Sequence, residues 1–310
     1  MANTLLGSST TANLSEKIND TEDQTNLICN IHDPKLANYL ANLEDLPSFP
    51  DILRELDEVI FSNKANIGQV ANIIQRDPGL VTRILKLVNS PYIGFSGNIV
   101  SSIREAITLL GLNTVRHLVL TAKLYDSVQQ HSWRGFSFEH LHQRSIQVSQ
   151  LASSICYRMG HSREVQAQAR IAGLLLDIGM IVLAKSDAQQ YHLVMIRAQE
   201  LNQPIYVIEK LILGITHAQV GAYLLDQWNL APEVVHAVLY HHTPCASEDM
   251  HFSPLTAVHL ADSLLPKLYN VMGVNMGGRV SRDYLHRLNL LEELPKWEMA
   301  AHDVARVLRS

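Results

Sequence analysis

The sequence predicts an all-α protein, and three observations lead to this prediction. Helix-start patterns recur along the chain, with a proline at or next to a first helical position at Pro34, Pro50, Pro78 and Pro232. The apolar residues between these starts follow helical spacing, as in the segment 52–60. Patterns typical of strands are scarce. We therefore expect a multi-helical array of short helices.

Capping residues indicate where individual helices begin and end. Ser102, with Glu105 three residues later, has the pattern of a capping box. Gly111 and Gly160 stand where C-terminal glycines of helices belong, and a new helix-start pattern follows within about two residues of each. These positions predict separate helices before and after each glycine.

The same patterns divide the chain into a tail, a large domain and an extension. Residues 1–30 are rich in Asn, Thr, Ser and Asp and predict a flexible tail without a signal peptide. The domain has a first helical half at 31–130 and a second at 131–266, and Trp133-Arg134-Gly135 marks the boundary. Residues 267–310 predict an irregular connector and two short helices, which either cover the second half or contact a partner.

Composition argues against several functions. The 310 residues are 47% hydrophobic and 18% charged, which is an ordinary globular balance. The formal net charge is −5 and no Lys/Arg-rich block is present, so binding to nucleic acids is not expected. Cys29, Cys156 and Cys245 form no CxxC pair, which argues against both a disulfide framework and a thiolate zinc site.

The chain is expected to be soluble and cytoplasmic, with no contact with a membrane. The longest apolar stretch, 171–184, has 14 residues and is interrupted by Asp177. A bilayer core of about 30 Å needs a longer helix. The odd number of cysteines fits a reducing compartment.

Carboxylates and histidines that could bind a metal occur in the second half. Asp177 lies inside the apolar run 173–179, where a buried carboxylate is costly without a partner or a metal. Further candidates follow on later helical segments: His217, His241, His242 and Asp262. Mn²⁺ and Fe²⁺ accept these ligand types. Each residue also has a simpler interpretation, because a single helical histidine is usually structural and Asp177 could cap the helix that begins near Ile178.

Several motifs, in matching order and spacing, resemble an HDOD domain. In the first half they are Leu46-Pro47-Ser48-Phe49-Pro50, Asp77-Pro78-Gly79-Leu80, and the segments 88–94 and 105–111. In the second half they are the segments 172–179, 217–222, 224–228 and 237–242. The resemblance covers about residues 46–266 and implies an HDOD-like helical array whose second half is similar to an HD domain.

HDOD domains are related to the HD superfamily of metal-dependent phosphohydrolases, which includes the HD-GYP phosphodiesterases of cyclic di-GMP. The resemblance implies that the five candidates stand at metal-ligand or metal-adjacent positions. It also implies two losses, because an early ligand histidine corresponds to Arg144 and the histidine of the His-Asp doublet corresponds to Leu176. His142 would face differently on a helix. The Gly-Tyr-Pro signature is absent after His242, which argues against cyclic di-GMP as a substrate.

The resemblance thus implies a non-catalytic module of bacterial signal transduction, which acts by binding a signalling protein or a small regulator around a degenerate metal site. No cofactor is expected, apart from a possible single divalent transition metal. One alternative is a metal-dependent phosphohydrolase acting on a nucleotide or phosphoester. A second alternative is a nucleotide- or nucleic-acid-binding module without chemistry. The partner, the input signal and the oligomeric state do not follow from the sequence.

Overall fold

A computed structural model describes residues 31, 34–41, 50–62, 66–89, 99–129, 138–265, 274 and 276–307. These residues form helices and connecting turns without a strand, which confirms the all-α prediction. The predicted tail and the predicted boundary at Trp133-Arg134-Gly135 lie outside the described residues.

The described first half consists of short helices packed around a buried apolar core. They are α1 Pro34–Ala41, α2 Asp51–Ile60, α3 Ile67–Gln75, α4 Pro78–Val88, α5 Ile103–Leu110 and α6 Leu112–Gln129. Three of these helices begin at the predicted proline positions. The predicted end of α5 is also confirmed, because Gly111 has a φ of +84° and terminates the helix. Arg116 of α6 is buried and donates to Asp57 Oδ2 of α2 at 2.7 Å, which joins the two helices.

The second half surrounds the long helix α7, and its elements run from Phe138 to Leu264. They are α7 Phe138–Arg158, α8 Arg163–Leu175, α9 Ile178–Ser186, α10 Ala188–Glu200, α11 Ile205–Leu213, α12 His217–Gln227, α13 Pro232–Tyr240, a 3₁₀ turn Pro244–Ala246, and α14 Pro254–Leu264. Helix α7 packs along α8 and is crossed by α14, while α9 packs against α12. These crossings bring residues that are distant in the sequence to one buried region.

Two glycines allow close helix contacts in this half. A Cβ atom on Gly173 would lie 2.6 Å from the Cα of Ser149, so α8 can approach α7 only without a side chain there. A Cβ on Gly179 would lie 2.0 Å from the carbonyl oxygen of His217, at the contact between α9 and α12. Since Asp177 directly precedes α9 and His217 begins α12, the second contact sets the distance between two candidate site residues.

The C-terminal extension packs on the second half. Its described elements are α15 Arg282–Arg287, a 3₁₀ turn Leu291–Glu293, and α16 Leu294–Val307. Helix α16 contacts α7 and α14, and Trp297 is almost fully buried. The described part of the extension thus covers part of the second half, and contact with a partner stays a prediction.

One segment, Arg163–Ser186, is long and apolar enough to cross a membrane by length and composition. It comprises α8 and α9, and its 24 residues make it longer than the 14-residue apolar stretch 171–184 of the sequence. However, 83% of its apolar window is buried inside the protein. Such burial is typical of a core helix in a soluble domain.

Candidate functional site

A buried arginine lies between two of the carboxylates predicted as metal ligands. Arg144 of α7 donates from one terminal nitrogen to Asp177 Oδ2 at 2.6 Å. The other terminal nitrogen donates to Asp262 Oδ1. The side chain of Arg144 is only 4% exposed and those of both aspartates are 0% exposed. A permanent cation therefore neutralises charge between the two aspartates, where the family resemblance places a metal site.

The two aspartates reach this arginine from different helices. Asp177 occupies the N-cap position of α9, but its side chain makes no capping hydrogen bond. The interpretation of Asp177 as a simple helix cap is therefore wrong. Asp262 lies in the last turns of α14, and its second oxygen, Oδ2, accepts the backbone N–H of Gly278 at 2.7 Å.

A second buried carboxylate group fixes the orientation of His217. Glu209 Oε2 accepts the backbone N–H of His217 at 2.8 Å and lies 2.6 Å from Nδ1 of the same residue. Its other oxygen accepts the Tyr191 hydroxyl at 2.7 Å. The contact with Glu209 keeps a proton on Nδ1 and fixes the orientation of the ring. As a result, Nε2 of His217 points toward Asp177 Oδ1, 3.5 Å away.

The adjacent histidines His241 and His242 face the same region. Nδ1 of His241 lies 2.7 Å from the carbonyl oxygen of Val238, to which it donates, and this leaves Nε2 as the acceptor. The ring of His242 stacks on Tyr206 with a centroid distance of 4.2 Å. Its Nε2 lies 3.1 Å from Nε2 of His217. Two ring nitrogens at this separation require either a shared proton or a common cation.

Burial and neighbouring charges separate the protonation states of the three histidines. Burial lowers the pKa of His241 to about 3 and that of His242 well below its usual value. Burial also acts to lower the pKa of His217, but Glu209 and Asp177 outweigh this effect and raise it. His241 and His242 are therefore neutral near pH 7 and have lone pairs available to a metal.

The two aspartates are also not equivalent. Burial raises the pKa of Asp177, and the charges of Arg144 and His217 offset only part of this increase. Burial acts in the same direction on Asp262, but Arg144 and the Gly278 N–H bring its pKa below the usual value. Burial alone would lower the pKa of Arg144, yet the two aspartates raise it. Asp262 is thus the more firmly ionised partner of the guanidinium.

The donor set in the described residues fits one divalent transition metal. His217, His241 and His242 each offer one ligand atom, and these atoms lie within 4.8 Å of one another. Nε2 of His241 and Oδ1 of Asp177 are buried without a hydrogen-bond partner among the residues described. Imidazole nitrogens with at most one carboxylate oxygen suit ions such as Zn²⁺ or Fe²⁺. The remaining oxygens of Asp177 and Asp262 bind Arg144 and the Gly278 N–H, so the available ligand atoms suffice for one ion.

All five predicted site residues therefore come together around Arg144. The three imidazoles form the part with metal-like geometry, and the two aspartates bind the guanidinium. Leu176 is fully buried in the apolar core. The pKa of His142 is lowered by burial and by the charge of Arg83 on α4.

The sequence interpretation missed the pairing of Arg144 and the contributions of Tyr191, Glu209 and Gly278. Glu209 could have been found by the argument used for Asp177, because it is a carboxylate inside the apolar helix Ile205–Leu213. A buried charge in such a run requires a partner. Tyr191 and Gly278 carry no comparable signal.

Comparisons with known proteins concern the family and the fold of the chain. A family model described as the HDOD domain matches residues 46–244. A curated protein from Treponema pallidum (strain Nichols), named only as uncharacterized, is 26% identical over 223 residues, which cover 71% of this chain and 42% of that protein. This chain therefore spans less than half the length of that relative.

Solved structures share the fold. An HDOD domain protein of unknown function from Geobacter sulfurreducens is 22% identical, with a TM-score of 0.63 over 86% of this chain and 96% of that chain. A protein from Shewanella amazonensis SB2B, whose name assigns it to the metal-dependent phosphohydrolases, is 20% identical, with a TM-score of 0.59 over 96% and 97%. A protein from Marinobacter aquaeolei VT8, whose name assigns it to signal transduction, is 22% identical, with a TM-score of 0.58 over 89% and 65%. At these identities the likeness concerns the fold alone. Because the family model matches more than half of the sequence, the chain belongs to the HDOD domain family.

Proposed function

We propose that this HDOD protein is a non-catalytic module of bacterial signal transduction that acts by binding a signalling protein or a small regulator. The observation that carries this proposal is the Arg144 guanidinium, which occupies the space between Asp177 and Asp262. An arginine in this position cannot release its proton to free the carboxylates. It also cannot activate a water molecule as a metal ion does.

The chemistry of phosphoester hydrolysis explains why this replacement matters. A two-metal site needs ions about 3.5–4 Å apart, so that both the attacking and the leaving oxygen are stabilised. Here the aspartates that could bridge two ions bind a guanidinium, and the doublet position holds Leu176. Three imidazoles remain, which is a ligand set for one ion at most.

The guanidinium also supplies a structural reason for retaining the aspartates. A buried carboxylate without a cation is strongly unfavourable, whereas one paired with arginine and a backbone N–H is tolerated. Arg144 can therefore stabilise the helix arrangement of α7, α9 and α14 without a metal. In this proposal the site is a structural centre, and the regulator or signalling protein binds around it.

The test is hydrolysis of bis(p-nitrophenyl) phosphate with added Mn²⁺. We expect no turnover by the natural protein and none by Leu176→His alone, because Arg144 still occupies the aspartates. The double variant Arg144→His, Leu176→His introduces both implied ligand histidines and serves as the comparison in which a metal site is rebuilt. Turnover by the natural protein that is lost with chelator and in Asp177→Ala would overturn the proposal.

A second candidate function is a metal-dependent phosphohydrolase with a single ion. The observation that favours it is the unpaired Nε2 of His241 beside the facing nitrogens of His217 and His242. When bound, the ion would act as a Lewis acid and lower the pKa of a water molecule. The test is the metal content of protein purified without chelator or metal-affinity resin. About one transition metal per chain, lost in both His241→Ala and Asp177→Ala, would favour this candidate over the first.

A further inference from the structure

A segment beyond the HDOD match lies directly on the charged site. Residues 276–288, which we name the strap, begin with buried Met276 and end after helix α15. The Gly278 N–H donates to Asp262 Oδ2 at 2.7 Å. A Cβ atom on Gly278 would lie 2.9 Å from Asp262 Oδ2 and 3.2 Å from His242 Nδ1. The backbone therefore contacts two site residues so closely that a side chain at position 278 would require them to shift.

The rest of the strap is attached to the same side of the site. The Ser281 N–H donates to Nε2 of His259 at 3.0 Å. His259 in turn lies 2.7 Å, through Nδ1, from the carbonyl oxygen of His241. The Tyr284 hydroxyl lies 2.9 Å from Thr256 Oγ1 of α14. The strap is thus bonded to the helix that carries Asp262 and, through His259, to the histidine pair.

Arg287 holds the end of the strap against the loop that follows His242. Its guanidinium donates to the carbonyl oxygens of Pro244, Cys245 and Ser247 at 3.1–3.2 Å. It also lies over the ring of Tyr284, with 5.3 Å to the centroid. One side chain therefore connects the strap to three carbonyl groups of a single loop. A substitution of Arg287 removes all three contacts together.

We propose that the strap is a regulatory closure of the HDOD site, that Arg287 holds it shut, and that opening it exposes Asp262 and His242 to a regulator. The closed strap contacts both residues, which are 2% and 8% exposed, and so contributes to their burial. Asp262 connects the strap to the buried site, because one of its oxygens binds Arg144 and the other binds the Gly278 N–H of the strap. The inference rests on the proposed function in one respect only, that the regulator acts at this site.

The experiment uses the full chain and compares Arg287→Ala with Arg282→Ala. Arg282 lies on the same helix and is exposed, so its variant removes the same charge without releasing the loop. Amide-resolved hydrogen exchange is measured at Gly278 and Ser281. Diethyl pyrocarbonate, which reacts with accessible neutral imidazoles, is used to measure the labelling rate of His242. A third variant, Arg287→Lys, keeps the charge with fewer directed donors.

We expect exchange at Gly278 and Ser281, and labelling of His242, to be at least about tenfold faster in Arg287→Ala than in Arg282→Ala, with Arg287→Lys between them. Amides of α7 should keep their natural protection, which shows that the domain stays folded. Equal rates in the alanine variants would overturn the closure. The bis(p-nitrophenyl) phosphate assay separates the two proposals. Turnover that appears only in Arg287→Ala would support the strap and refute the non-catalytic function, whereas equal rates without turnover would refute the strap alone.

Discussion

The guanidinium of Arg144 lies 2.6 Å from Oδ2 of Asp177, and neither side chain is accessible to solvent to any useful extent. The family resemblance implies a ligand histidine at position 144 and the aspartate of the His-Asp doublet at position 177. The substitution therefore does more than remove a ligand. It places a fixed positive charge on the carboxylate that a metal would otherwise bind.

Arg144→Met should destabilise the protein by about 3–5 kcal/mol, because two buried aspartates lose their cation. The change is measured as the free energy of unfolding in urea at pH 7. The control is Arg54→Met, which breaks an exposed pair with Asp51 and should cost about 0–1 kcal/mol. Equal losses in the two variants would mean that Arg144 contributes no more than a surface charge.

The sequence predicts the helices well, because the signals that begin and end them are local. Prolines at first helical positions and the glycine after α5 operate through the backbone of a few neighbouring residues. Their outcome does not depend on the rest of the chain. For this reason the starts of α1, α2, α4 and α13 and the end of α5 agree with the structure.

The clustering of the five candidate residues followed from the family resemblance, whereas the partners of these residues did not. Arg144 pairs with residues 33 and 118 positions away, and Asp262 accepts from a backbone N–H 16 positions away. Such contacts depend on helix crossings that no local pattern specifies. The resemblance identified position 144 as a lost metal ligand. It did not indicate that the arginine at this position binds both aspartates.

Gly179→Ala should destabilise the protein by about 1–3 kcal/mol, because the added methyl group would overlap the carbonyl of His217. Separation of α9 from α12 should also move His217 away from Asp177. The matched control is Gly79→Ala on α4, where the nearest atoms are the ends of the Asp77 and Arg83 side chains. Alanine favours a helix over glycine by up to about 1 kcal/mol, so this control should be neutral or stabilising.

Thermal and urea unfolding of both glycine variants test this expectation. A Gly179→Ala protein as stable as the Gly79→Ala protein would show that the helix contact adjusts to a side chain without cost.

Tyr191→Phe should reduce stability by about 1 kcal/mol, since it removes one hydrogen bond to Glu209 and keeps the ring. Glu209→Gln should cost more, because glutamine carries no charge to stabilise a protonated His217. The two variants are compared by urea unfolding and by a pH titration of the His217 ring, followed by its ¹⁵N chemical shifts. A lower pKa of His217 in Glu209→Gln than in Tyr191→Phe is the expected result, because the Glu209 charge raises that pKa. Equal pKa values in the two variants would contradict this role of Glu209.

His117 of α6 provides a pH test of the first half. Burial, followed by the charge of Arg116, lowers the pKa of His117 to about 4 from the usual 6.5. As pH falls below 6.5, His117 becomes protonated in the unfolded chain but stays neutral in the folded chain until about pH 4. The stability contributed by neutral His117 is therefore complete above pH 6.5 and is lost progressively down to about pH 4.

Between pH 7 and pH 5 the natural protein should therefore lose about 2 kcal/mol more than His117→Gln, at about 1.4 kcal/mol per unit of pKa difference. Other buried histidines titrate in both proteins and cancel in the comparison. His251→Gln, at an exposed position, serves as the control and should follow the natural protein. The measurement is urea unfolding at both pH values. If His117→Gln loses as much stability as the natural protein, then His117 is not held neutral in the folded state, and its burial beside Arg116 would have no effect on acid stability.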